Sequence, residues 1–165
     1  MSNATLRAHA RTLPKGQRRR PTAEDVITDL SFLPDRYAMP VVGDCLEPEI
    51  SSGAVLIFDK TEAYKVGDLV ILFRRRDLTP VGQFQGMVKR LVMAPPPWVK
   101  AFPFSDHPQS DVLAMMVVEM LNPRRLLSVR CADLLGVHKC LGVAPPELKR
   151  VQMELPEACR AEDRR

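Results

Sequence analysis

Short apolar or alternating runs, separated by turn residues, fill most of the chain between residues 37 and 143. Runs of this length bounded by Gly, Pro, Asn and Asp are typical of β-strands rather than helices. The pattern therefore predicts a mainly β domain. The predicted strands are Tyr37 to Val42, Ala54 to Phe58, Leu69 to Phe73, Gly86 to Val92, Val112 to Leu121, Leu126 to Val129 and Val137 to Val143.

One short helix is predicted ahead of the strands, over Thr22 to Leu33. Thr22 suits the N-cap, acidic residues follow in the first turn, and Pro34 ends the segment. A helix-turn-helix needs two helices packed across a turn, so this chain is not expected to read a DNA sequence. The apolar face of the helix consists of Val26, Ile27, Leu30 and Leu33.

The chain of 165 residues is long enough for one domain with a buried core and tails. We expect a disordered basic tail over residues 1–21, a helix and linker over 22–36, the domain over 37–145, and a tail over 146–165 with one short helix at most. Fifteen prolines argue against a helical bundle. Neither a membrane span nor a signal peptide is apparent, so a cytoplasmic location without a membrane partner is expected.

Positive charge is concentrated at the N-terminus. Residues 1–20 hold six basic residues and no acidic one, and the other 18 basic residues are set against 20 acidic ones. Mobile Arg and Lys side chains release counterions from phosphate, but no aromatic residue is interleaved with them here. Any nucleic-acid binding by this tail is therefore expected to be weak and non-specific, and a solubilising tail is the simpler interpretation.

The four cysteines, Cys45, Cys131, Cys140 and Cys159, form no Cys-x-x-Cys pair. Together with three scattered histidines they show no zinc-ligand spacing, so no metal or other cofactor is expected. The simplest interpretation of Cys131 and Cys140 is reduced thiols that pack as small apolar side chains.

Cys45 differs from the other cysteines because it lies on a predicted tight turn between two strands. Gly43-Asp44 gives a turn signal before it, Pro48 restrains the chain after it, and Ser51-Ser52-Gly53 makes a second turn. A nucleophile on such a turn suits acyl chemistry, because nucleophile and oxyanion donors must converge on one carbonyl. The backbone N–H groups of Asp44 and Cys45 are the predicted oxyanion donors.

This stretch resembles the nucleophile motif of the LexA-like repressor peptidases and the related bacterial signal peptidases. The family motif is Gly-Asp-Ser-Met-x-Pro, and this chain reads Gly43-Asp44-Cys45-Leu46-Glu47-Pro48. The resemblance covers about Tyr37 to Val143 and implies a LexA/signal-peptidase-like fold of short antiparallel strands. Three further blocks are similar to the family's, in the same order: Val66 to Leu72, Met87 to Leu91, and Leu121 to Pro123 with Leu135 to Val143.

The resemblance also implies a catalytic pair. Lys89 matches the family's general-base lysine, and Cys45 stands where the family has its nucleophilic serine. The family's lysine acts as a neutral amine, and burial disfavours the ammonium form. Strand alternation sends Lys89 and Arg90 to opposite faces, so an inward Lys89 can approach Cys45 while Arg90 is solvated. A thiol needs less help from a base than a hydroxyl, and a charged lysine stabilises a thiolate.

Two functions follow from the resemblance. The first is a peptidase with a Cys45/Lys89 dyad that acts on a peptide or protein segment. Its activity is weak or lost, since a displaced sulfur can cost on the order of 100-fold in rate. The second is a non-catalytic regulatory or protein-binding domain that keeps the fold and forms a homodimer, as the family's domains do.

Two further expectations concern the chemistry at Cys45. The Ala-Gly or Cys-Gly bond that self-cleaving members cut does not occur in this chain, so the usual self-cleavage is not expected. A papain-like pairing of Cys45 with His138 or His107 is a third possibility, which the surrounding motifs do not favour.

Overall fold

The computed structural model describes residues 27–80, 83–104 and 114–145, together with the backbone of residues 161–163. These residues form one predominantly β structure with two single turns of 3-10 helix, at Arg76–Leu78 and Cys131–Asp133. All seven predicted strands are confirmed, with ends that shift by a few residues. In chain order the strands are β1 Arg36–Gly43, β2 Val55–Asp59, β3 Leu69–Arg74, β4 Gly86–Met93, β5 Met115–Leu121, β6 Arg124–Arg130, β7 Leu134–Val143 and β8 Ala161–Asp163.

The described strands form one sheet in the order β6-β5-β4-β3-β7-β2-β1-β8. Neighbouring strands are antiparallel, except that β8 runs parallel to β1. β7 lies between β2 and β3, which follow each other directly in the sequence. Residues of β8, at one edge of the sheet, approach β4, which lies five places along it. The sheet therefore curls towards a half-barrel and brings β1 and β4 to the same region.

β3 shows why this chain forms a sheet with a core on both sides. Its sequence Leu-Val-Ile-Leu-Phe-Arg is almost continuously apolar, as expected of a strand that is covered on both faces. Ile71 and Phe73 belong to one apolar cluster, with Tyr37 and Phe58 among its members. The alternate residues of the strand belong to a second cluster, which consists of Val70, Leu72, Leu91, Met116, Val118, Val129, Leu134 and Val137.

The predicted helix over Thr22 to Leu33 is wrong where it can be compared. Residues 22–26 lie outside the described residues, and residues 27–33 contain bends and a turn but no helix. The side-chain amide of Gln85 accepts a hydrogen bond from the N–H of Ile27 and donates one to its C=O, both at 2.8 Å. The Asp29 carboxylate accepts the Ser31 N–H at 2.9 Å. These bonds occupy backbone groups that a helix would use.

The two predicted tails have different outcomes. Residues 1–21, expected to be disordered, lie outside the described residues, as do residues 146–160. Residues 161–163 form β8 on the edge of β1, where a disordered segment or short helix was expected. The exposed N–H and C=O groups of a strand edge favour pairing with an extended segment even when its sequence has no apolar pattern.

In the part of the chain that the structure describes, no helix has both the length and the apolar character needed to cross a membrane.

Candidate active site

Cys45 lies on a compact turn that follows β1. Gly43 ends the strand with a φ of 99°, a backbone conformation that glycine adopts without strain. The N–H of Glu47 donates to the C=O of Asp44 at 2.9 Å, and the N–H of Ile50 donates to the C=O of Leu46 at 3.0 Å. Leu46 and Ile50 are buried in the core, which fixes the turn to the sheet.

Lys89 reaches the turn from β4. Its Nζ lies 3.4 Å from Sγ of Cys45, although the two residues are 44 positions apart in the sequence. Cys45 is 4% exposed and Lys89 is 1% exposed, so the contact is buried. The structure thus brings together the two side chains that the sequence singled out.

The end of β5 holds the backbone of Cys45. The C=O of Cys45 accepts hydrogen bonds from the N–H of Leu121 at 2.8 Å and from the N–H of Asn122 at 3.1 Å. The residues Leu121 to Pro123, which resemble a closing segment of the family, therefore contact the turn directly. The oxyanion role of the Asp44 and Cys45 N–H groups stays a prediction.

Arg90 connects the turn to β4 from the other side of the strand. Its guanidinium donates to the C=O of Gly67 at 2.9 Å and forms an ion pair with the carboxylate of Glu49. As strand alternation predicts, Arg90 lies on the other face of the strand from the buried Lys89. The Arg90 side chain was expected to be solvated, but it is only 28% exposed. No pattern in the sequence indicated the partner Glu49, which lies 41 positions away.

Cys131 and Cys140 are buried free thiols, as expected for packing residues. Burial raises the pKa of Cys131 to about 11, and burial likewise raises the pKa of Cys140. Both thiols therefore stay protonated at neutral pH, which makes them poor nucleophiles.

His138 is paired with Tyr37 rather than with Cys45. A hydrogen bond of 2.6 Å joins the Tyr37 hydroxyl to Nδ1 of His138, and the ring of Phe73 lies 5.4 Å from the imidazole. Burial, followed by the positive charge of Lys60, lowers the pKa of His138 to about 4. His107, the other histidine considered for a papain-like pair, lies outside the described residues. His138 is thus a structural residue of β7.

Among the described residues, no group of three or more His, Cys, Asp or Glu side chains is placed to hold a metal ion. A scan against protein-family models finds no match to this chain, and searches of curated proteins and of solved structures find none either. The chemistry of the site is therefore inferred from its own residues.

Proposed function

We propose that this chain is a LexA-like peptidase-fold protein in which Cys45 and Lys89 form a dyad for the hydrolysis of peptide bonds, with low activity. The observation that carries the proposal is the buried 3.4 Å contact between Sγ of Cys45 and Nζ of Lys89. Cys45 follows the first strand and Lys89 lies on the fourth. The nucleophile and the lysine thus occur in the same order as in the family that the sequence resembles, which supports the proposal.

The pairing has a physical basis that a chance contact lacks. An amine taken out of water needs a hydrogen-bond acceptor, and Sγ of Cys45 lies within reach of Nζ of Lys89. An ammonium beside a thiol favours the thiolate, and the thiolate is the form of cysteine that acts as a nucleophile. A buried Cys-Lys pair therefore has the parts needed for nucleophilic attack.

The proposed reaction has two stages. The Cys45 thiolate attacks the carbonyl carbon of a peptide, and the Lys89 ammonium gives a proton to the departing amine, which leaves a thioester and a neutral lysine. The neutral lysine then takes a proton from water as the hydroxide adds to the thioester carbonyl. The C–S bond breaks, a carboxylic acid departs, and the thiolate and ammonium are restored.

One observation favours the second function, a non-catalytic regulatory or protein-binding domain that keeps the fold. Cys45 is only 4% exposed. A catalytic sulfur must contact the carbonyl carbon of its substrate, and a geometric error of about 1 Å can cost on the order of 100-fold in rate. Such a closed site suits a low turnover or none.

The coupling of the pair can be tested by replacing Lys89 with Met, which keeps an apolar stem and removes the charge. In the parent protein, iodoacetamide should modify Cys45 faster at neutral pH than Cys131 or Cys140. In Lys89→Met the rate at Cys45 should fall by about tenfold, because the thiolate loses its neighbouring ammonium. Mass spectrometry of the digested protein gives the rate at each cysteine.

Lys65→Met is the matched control, because it removes the same charge from an exposed residue and should leave the rate unchanged. Equal rates in the parent and Lys89→Met would remove the basis of the peptidase proposal. A second assay measures turnover of a mixed peptide library by the parent and by Cys45→Ala. Turnover in the parent alone supports hydrolysis, and a coupled pair without turnover supports the binding domain.

A further inference from the structure

The two edges of β1 have different partners just before Cys45. The N–H of Val41 donates to the C=O of Ala54 at 2.7 Å, and the C=O of Val41 accepts the N–H of Gly53 at 2.8 Å. The backbone polar groups of Val41 therefore point to the β2 side. Since successive residues of an extended strand direct these groups to opposite edges, those of Val42 point to the other edge.

β8 lies on that other edge. It pairs with β1 in parallel, with Val41, Val42 and Gly43 opposite Ala161, Glu162 and Asp163. β8 also approaches β4, the strand that carries Lys89. A short segment from the C-terminal part of the chain thus lies between the strand that leads into Cys45 and the strand that supplies its partner.

This edge is also the place where an extended peptide would be held beside Cys45. Extended peptides bind by adding a strand to a sheet edge, where main-chain hydrogen bonds supply much of the affinity. We propose that residues 161–163 are a built-in occupant of this edge, and that another peptide pairs with β1 only after this segment has left. The inference rests on the proposed function, because it takes the β1 edge as the position of the peptide.

The geometry suits a segment that can be displaced. Three residues of β8 pair with β1, and the net contribution of each backbone hydrogen bond to stability is small. Residues 144–160 connect β7 to β8 in the same chain, and a segment joined covalently to its site has an effective concentration there on the order of millimolar. A peptide in solution therefore competes with a local but weak occupant.

A pair of proline variants distinguishes the loss of a hydrogen bond between β1 and β8 from the general effect of introducing a proline into β8. The alternation places the N–H of Asp163 against the C=O of Val42, and it directs the N–H of Glu162 away from β1. Asp163→Pro removes the paired donor, whereas Glu162→Pro removes the donor on the far side. Both variants lose one carboxylate and gain one proline, so they are matched in charge and in residue type.

The readout is the rate at which iodoacetamide modifies Cys45 in the full chain. Asp163→Pro should raise this rate by about fivefold, the equivalent of one hydrogen bond of about 1 kcal/mol. Glu162→Pro should stay within about twofold of the parent. A synthetic peptide of residues 157–165, with Cys159→Ser, should slow the modification in Asp163→Pro in a saturable manner. A chain shortened after Arg160 is a second variant and should behave like Asp163→Pro.

Equal rates in the parent, both proline variants and the shortened chain would overturn the inference. Turnover of the peptide library, measured on the same proteins, separates this result from a failure of the proposed function. Faster modification without turnover keeps β8 as the occupant and counts against hydrolysis. Turnover that is equal in the parent and in Asp163→Pro supports hydrolysis and overturns the occupant.

Discussion

Asp59 shows how hydrogen bonds stabilise a buried charge in this sheet. Its carboxylate accepts hydrogen bonds from Nε of Arg36 at 2.7 Å, from the N–H and hydroxyl of Thr61, and from the N–H of Glu62. The hydrogen bond from Arg36, together with those from Thr61, holds the pKa of Asp59 well below its usual value. Asp59 is therefore charged at every pH at which the protein would be used, and it titrates only in strong acid.

His138 behaves in the opposite way, and its effect on stability is a prediction. Burial lowers its pKa from 6.5 to about 4. Between these values the unfolded chain binds a proton that the native state does not, so stability falls as the pH drops through this window. Urea unfolding should give a free energy about 2 kcal/mol lower at pH 5 than at pH 7.

His138→Gln is the control for this prediction. The amide keeps a polar partner for the Tyr37 hydroxyl but does not titrate, so the loss of stability between pH 7 and pH 5 should largely disappear. Asp59 does not contribute to the difference, because its pKa is lowered from 3.8 and the proton binds only below this window. Equal stability of the parent at the two pH values would contradict the assignment of a neutral, buried His138.

At the scale of elements, the turn after β1 depends on contacts from two strands. β5 binds the C=O of Cys45, and Arg90 on β4 binds Glu49. Glu49→Gln keeps the shape of the side chain and removes its charge, so the turn should open more often. Modification of Cys45 should become about two- to threefold faster, while the free energy of unfolding should change by less than about 1 kcal/mol, as for other exposed ion pairs.

Asp77→Asn is the matched control for that change. Asp77 forms an exposed ion pair with Arg75 on the connection that follows β3, and it does not belong to the turn. Its replacement should leave the modification of Cys45 unchanged. If both variants give the same rate, the Arg90–Glu49 pair does not restrain the turn.

Elements with a local signal were predictable from the sequence, and those that depend on distant partners were not. β1 to β7 carry apolar runs between turn residues, so their positions could be read directly. β8 has the sequence Ala-Glu-Asp, which carries no strand signal, and its strand form comes from pairing with the edge of β1. The helix prediction failed because Gln85, 58 residues away in sequence, binds the backbone of Ile27.

The site follows the same rule. The contact between Cys45 and Lys89 was predicted because both lie in blocks that resemble those of one family. Their spacing in the sequence alone would not have predicted it. The resemblance gave the order of the blocks but not the contacts of the turn. Arg90 lies in the block Met87 to Leu91, but nothing in that block indicated its partner Glu49. The pairing of His138 with Tyr37 joins residues 101 positions apart.

At the scale of the whole molecule, most of the described core belongs to two apolar clusters. The first cluster begins at Ile27 in the described part of the chain, and the second contains residues from β3 to β7. Residues 1–21 carry no apolar periodicity that would add to either cluster. The tail is therefore expected to contribute charge rather than stability.

Deleting residues 1–21 should leave a cooperative thermal transition within about 2 °C of the parent, no more than the shift expected for about 1 kcal/mol. Differential scanning calorimetry of both chains measures this. A broad transition or aggregation of the shortened chain would show that the tail does belong to the folded core. The six basic residues that it removes provide a second readout, since any binding to nucleic acid should disappear with them.

The position of β7 also determines the order in which the sheet can assemble. β1 with β2, and β3 with β4, β5 and β6, pair with neighbours in the sequence, so these two groups can form early. They become one continuous sheet when residues 134–143 enter between β2 and β3, with Leu56 opposite Val143. Such distant pairings close slowly. During synthesis the edges of β2 and β3 therefore stay open until this late strand arrives, and that interval is when two nascent copies can pair with each other.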